Sequence, residues 1–138
     1  MKQGAQILTG GTLEKTLFFP TVIAGTTPEM QVNREEVFAP VISVTPYDDF
    51  ADAIRMANTG DYGLQVGIFT QNINRAMRAF EEMNVGGVII NDISTFRTDQ
   101  MPYGGVKGSG TGREGPRFAI EEMTELRLMV INRKGGKE

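Results

Sequence analysis

Residues 101–115, MPYGGVKGSGTGREG, carry the pattern most suggestive of chemistry in this 138-residue chain. Six of them are glycine, and GTGREG at residues 110–115 fits G-x-G-x-x-G. Such a loop can cradle a phosphate with backbone N–H groups at a helix N-terminus. A dinucleotide fingerprint also needs a strand directly before it, a helix opening from it, and an acidic residue about 20 residues on. Here PYGGVKGS precedes the pattern and does not read as a strand. A helix can start at Pro116, so one condition is met. About 20 residues past Gly115 comes RKGGK, with no acid there until Glu138. A P-loop is excluded because Lys107 is followed by Gly108 rather than Ser or Thr. The expectation is a loop whose glycines supply positive φ and close backbone approach.

Two common catalytic groups are missing, since the chain has no cysteine and no histidine. It therefore offers no disulfide, thiolate ligand, thiolate nucleophile or imidazole base. The net charge is −3 with the signs interspersed, which argues against nucleic acid and polybasic membrane binding. No apolar run approaches a membrane span. The first residues, MKQGAQILTGG, lack the apolar core of a leader, so the expected location is cytoplasmic.

The elements that must position any site read as α/β. Residues 5–9 suggest a short strand, and residues 17–24 two extended pieces interrupted by Pro20. GTTPEM at 25–30 is turn-like. Residues 34–38 suggest a turn of helix closed off by Pro40, and 41–47 a strand. Asp48 or Asp49 can cap a helix with Phe50, Ala53, Ile54 and Ala57 on one face. Gly60 and Gly63 mark its exit. A strand at 65–70 follows. Asn72 then caps a helix with Ile73, Ala76, Met77, Phe80 and Met83 on one face, ended by Gly86 and Gly87. VIIN at 88–91 reads as a strand buried on both faces. This strand–helix–strand–helix–strand order predicts a mainly parallel sheet with crossover helices. A long irregular stretch runs from residue 92 to 112. A helix over RFAIEEM, a terminal strand at 126–132 and a frayed tail at 133–138 complete the chain.

REEVFAPV (34–41), NTGDYGLQVGIFT (58–70), GGVIIN (86–91) and MPYGGVKGSGTGREG together resemble, in order and spacing, the C-terminal part of NAD(P)-dependent aldehyde dehydrogenases. The resemblance covers nearly the whole chain and leans towards members acting on small polar or anionic aldehydes: semialdehyde, lactaldehyde and glyceraldehyde-phosphate types. It implies an α/β fold: part of the catalytic domain over residues 1–124, then an oligomerisation strand and tail over 125–138. In that family a cysteine attacks the aldehyde, hydride passes to the nicotinamide, and a glutamate base helps water to hydrolyse the thioester. The cysteine, the base and the main NAD or NADP domain lie N-terminal to the matched region.

The resemblance also assigns residues. Glu36 matches the glutamate that binds the nicotinamide-ribose hydroxyls; a carboxylate offers two acceptor oxygens to a diol. Phe38 matches the aromatic beside the nicotinamide. Ala39 stands where glycine is usual and could crowd the turn. Tyr103 matches an aromatic at the substrate tunnel, and Phe96 lines the same tunnel. Arg97 could clamp a substrate carboxylate or phosphate, or be a solvated loop arginine. Arg113 and Glu125 read as structural, Asn91 as a holder of loop backbone, and Lys107 as an exposed loop lysine. No residue is assigned as catalytic or as a metal ligand. The expectation is a chain inactive alone, binding no cofactor tightly and forming a homo-oligomer, a dimer. The alternatives are a split enzyme completed by an N-terminal aldehyde dehydrogenase chain, and a non-catalytic assembly module.

Overall fold

The structure is a computed structural model that describes residues 4–133. Chain turns set by glycine and proline divide it into short elements. Strand β1 (Gln6–Thr9) runs antiparallel to β4 (Thr21–Ala24). Between them lies a small hairpin of β2 (Leu13–Glu14) and β3 (Leu17–Phe18). Pro20 separates β3 from β4, as the sequence suggests. Strand β5 (Val41–Val44) pairs in parallel with β4, with Ile23 opposite Ser43.

The connection from β4 to β5 contains helix α1 (Gln31–Arg34), which precedes the expected helix at 34–38. Asn33 sets its place by donating from Nδ2 to the Thr27 carbonyl and accepting from the Ser43 hydroxyl. The helix stops at its C-cap Glu35, whose backbone is extended. Val37 is β-branched and Pro40 disfavours helix at Ala39, so nothing prolongs the turn.

Asp49 caps helix α2 (Phe50–Asn58) by accepting from the Asp52 amide at 2.8 Å. Strands β6 (Tyr62–Gly63) and β7 (Gln65–Ile68) follow. Asn72 caps helix α3 (Ile73–Glu82) with bonds from Asn74 N and Arg75 N. Strand β8 (Gly87–Ile90) then pairs in parallel with β7, Gln65 opposite Gly87. Strand β9 (Val106–Lys107) lies antiparallel to β6. Helix α4 (Pro116–Met123) opens after Gly115, with Pro116 in its first turn.

The strand–helix alternation is present, but its strands form two sheets. Strand β5 belongs to β1-β4-β5, whereas β7 pairs with β8 alone. Hydrophobic runs identify strands without naming their neighbours, and the two parallel pairs, β4–β5 and β7–β8, lie in separate sheets. Residues 126–132 form no ladder with any described strand. Their alternation suits an edge, but an edge needs a partner strand before it becomes sheet. The expected tail, apart from Arg133, lies outside the described residues.

The core is thin. Ile54 from α2, Ile68 from β7, and Ala76 and Ala79 from α3 are buried, with Met30 before α1. The helix α3 packs through its alanines. Ile73, Met77 and Phe80, expected on the inward face, are exposed instead. Ala76 and Ala79 lie three residues apart on one face, where small side chains let a helix approach its neighbours closely. Strand β8 is only partly buried, and Ile90 at its end is exposed.

Candidate functional site

Glu36 lies on the extended segment after α1, at a cleft of about 590 Å³. Tyr62 and Gln65, Val85 before β8, and Gly108 and Ser109 of the glycine loop line the same cleft. The Glu36 side chain is exposed and makes no hydrogen bond or ion pair with any described residue, which leaves both carboxylate oxygens open to a diol. Two backbone amides hold the Gly108–Ser109 part of the lining. Gly63 N donates to Ser109 Oγ at 2.9 Å, and Gly108 N donates to the Asp61 carbonyl at 2.8 Å.

Phe38 is 91% exposed and does not line this cleft. Among the described residues its ring is left almost fully open, which fits a platform for another planar group. Ala39 takes ordinary negative φ and is exposed, so its Cβ adds no strain at that turn.

Arg97 and Tyr103 come together on the long loop, neither lining the Glu36 cleft, while the Phe96 side chain is exposed. The Arg97 guanidinium stacks over the Tyr103 ring at 4.2 Å from the centroid. Its Nη2 also donates to Glu114 Oε2 at 2.6 Å. Tyr103 and Glu114 are joined by two backbone bonds, Tyr103 N to Glu114 O and Glu114 N to Tyr103 O. One residue thus anchors the carboxylate and the other the ring, and Arg97 lies against both. Its side chain is 45% exposed. Gln65 ties this loop to the Glu36 cleft, because its Nε2 donates to the carbonyls of Ser94 and Phe96.

The glycine loop itself is built for turning. Gly110, Gly112 and Gly115 all have positive φ. The N–H of Glu114 is already bonded to Tyr103, Pro116 has none, and the Glu114 carboxylate stands alongside. These features disfavour an anion at the mouth of α4, in keeping with the backbone-turning reading. Arg113 donates from Nη1 to the carbonyls of Gly105 and Gly112, stitching the loop internally. Asn91, at φ 62°, accepts from Thr70 N through Oδ1, so it does hold the β7–α3 turn. Glu125 is exposed.

Sequence reasoning missed Gln65, Glu114 and Asn58. A glutamine on a strand and an acid two residues before a helix carry no pattern of their own. A second cleft, of about 650 Å³, lies between the turn at Thr26–Arg34 and the end of α2. Glu29 on its wall has a carboxyl held below the ordinary 4.5, first by the Thr27 side-chain hydroxyl and then by its own backbone. Among the described residues no group of three or more acidic side chains is placed to hold a metal ion. No helix among them is long and apolar enough to cross a membrane.

Comparison with known proteins decides the family. Residues 1–129 match the family model described as "Aldehyde dehydrogenase family". The chain belongs to the aldehyde dehydrogenase family. Among this family's members, 3-sulfolactaldehyde dehydrogenase of Priestia aryabhattai is 47% identical over 132 residues, 96% of this chain and 28% of the relative. Lactaldehyde dehydrogenase of Methanococcus aeolicus is 42% identical with the same coverage of both. The fold matches aldehyde dehydrogenase 21 of Physcomitrella patens, solved with its reaction product succinate, at a TM-score of 0.92 and 43% identity. That match covers 97% of this chain and 28% of the other. Glyceraldehyde-3-phosphate dehydrogenase of Methanocaldococcus jannaschii, solved with NADP, matches at 0.83 and 43% identity, covering 88% of this chain and 26% of the other. The chain therefore spans little more than a quarter of the length of these aldehyde dehydrogenases.

Proposed function

We propose that these 138 residues contribute the nicotinamide-ribose contact and an anion clamp to an NAD(P)-dependent oxidation of small anionic aldehydes, and do not catalyse it by themselves. The covalent step of this chemistry needs a thiolate, and the chain contains no cysteine. A serine has no imidazole here to activate it. The nucleophile, the base and the main cofactor domain must come from other residues, on the same polypeptide or on a partner chain.

Glu36 and Phe38 suit the cofactor's ribose and nicotinamide. When bound, NAD or NADP supplies the hydride acceptor. Glu36 offers open acceptor oxygens to the ribose hydroxyls, and Phe38 an uncovered ring face. The substrate reading rests on one observation, the half-exposed Arg97 side chain with its guanidinium stacked on Tyr103. Tyr103 orients the plane, and the guanidinium N–H groups can engage a carboxylate, sulfonate or phosphate. The Glu114 contact supports this. An exposed ion pair is worth only about 0–1 kcal/mol, so a substrate anion can share or replace it. The similarity to enzymes named for sulfolactaldehyde and glyceraldehyde-3-phosphate, and to one solved with succinate, points the same way.

The test is Arg97→Gln in an active enzyme that contains this sequence. KM for succinate semialdehyde should rise roughly tenfold or more, the loss of a hydrogen bond to a charged group. KM for a neutral aldehyde of similar size should change little. An unchanged KM for the anionic aldehyde would sink the substrate reading.

A further inference from the structure

Lys107 has no part in the cofactor or substrate contacts, yet its geometry is the most constrained of any lysine described. Its Nζ donates to the carbonyl of Asn58 at 2.9 Å and to that of Gly60 at 3.0 Å. Asn58 is the last residue of α2, and Gly60 follows the C-cap Thr59. The cation therefore sits on the carbonyl end of a helix, where unpaired acceptors and the helix dipole both favour positive charge. The same helix end is tied to α3. Asn58 Nδ2 donates to the Glu82 carbonyl, the last residue of α3, and Asn58 Oδ1 accepts from Asn84 N. Two helix C-termini thus meet at Asn58, and Lys107 neutralises one of them.

The backbone of Lys107 is equally unusual. It has φ 55°, in the left-handed region, although it is not glycine. It pairs with Tyr62 in the β6–β9 ladder. Left-handed conformation is strained for a side-chain-bearing residue, so the contacts of its side chain must hold it there. Directly after it come Gly108 and Ser109, which form one wall of the Glu36 cleft.

We propose that Lys107 is a positioning residue: its ammonium latches the glycine-rich loop to the C-terminus of α2 and so fixes Gly108 and Ser109, which line the cleft together with Glu36. The latch makes the loop and the α2–α3 pair move as one body. It stands on these contacts alone and does not require that the cleft take a nicotinamide ribose.

The experiment is amide hydrogen exchange on the 138-residue chain, comparing wild type with Lys107→Met and Lys107→Arg. In Lys107→Met, exchange at Gly63 and Gly108 should speed up roughly three- to tenfold, as the dipole and charged hydrogen-bond contributions are lost. The β7–β8 ladder amides should keep wild-type rates. Lys107→Arg, still cationic and able to donate to two carbonyls, should restore most of the protection. The proposal is overturned if Lys107→Met leaves Gly63 and Gly108 unchanged. It is equally overturned if Lys107→Arg behaves like Lys107→Met, or if the β7–β8 amides lose protection to the same extent.

Discussion

At Gly86 an added Cβ would overlap the carbonyl of Gly104, so the chain entering β8 touches the glycine loop backbone to backbone. Neither partner can retreat like a flexible side chain. Gly86→Ala should therefore cost about 1–3 kcal/mol, as overpacking does, read as a lower urea midpoint. Thr27 and Glu29 make a different test. The Thr27 hydroxyl holds the Glu29 carboxyl below 4.5, so the charged form is favoured in the folded chain. A lowered folded value means that the contribution is present above 4.5 and fades as pH falls through the folded value. Thr27→Val should move Glu29 back towards 4.5 in an NMR titration. Arg97 shows what one residue's letter hides. The sequence left it as either clamp or solvated arginine. The structure puts it on Tyr103 and Glu114, partners six and seventeen residues away, at a spacing that no short motif encodes.

At the scale of elements, boundaries set by local chemistry were legible. Asp49 and Asn72 cap the helices where their side chains can accept backbone N–H groups, and Pro20 splits the extended pair. Asn72→Ala should destabilise α3 by about 1 kcal/mol, measurable by chemical unfolding. What depended on distant partners was not legible. The periodicity of α3 marked Ile73, Met77 and Phe80 as a face, but an apolar stripe does not say whether this chain covers it. Here Ala76 and Ala79 meet the core and the large residues meet solvent. Likewise the alternation at 126–132 describes a strand waiting for an edge. The Glu36 and Phe38 positions were found through their place in a family motif. The cleft that holds Glu36 depends on Gln65, Gly108 and Ser109, which only folding brings together.

The whole molecule exposes 11297 Å². A compact monomer of 15.1 kDa would expose about 7,100 Å². Much of the excess is apolar: Leu126, Leu128, Met129, Val130 and Ile131 are all open, as is the α3 stripe. Such surface favours association, which supports the proposal of a homo-oligomer or of docking to an N-terminal aldehyde dehydrogenase portion. Sedimentation of the 138-residue chain should show concentration-dependent self-association, and Leu128→Lys with Val130→Lys should shift it towards monomer. The central claim is that this chain completes an aldehyde dehydrogenase site without holding its nucleophile. The most direct measurement is aldehyde-dependent NADH or NADPH formation by the purified chain, alone and mixed with a cysteine-bearing N-terminal portion of a homologous enzyme. The account predicts no reduction by the chain alone and reduction in the mixture, diminished by Glu36→Ala. Aldehyde-dependent reduction by the chain alone, surviving repurification, would contradict it.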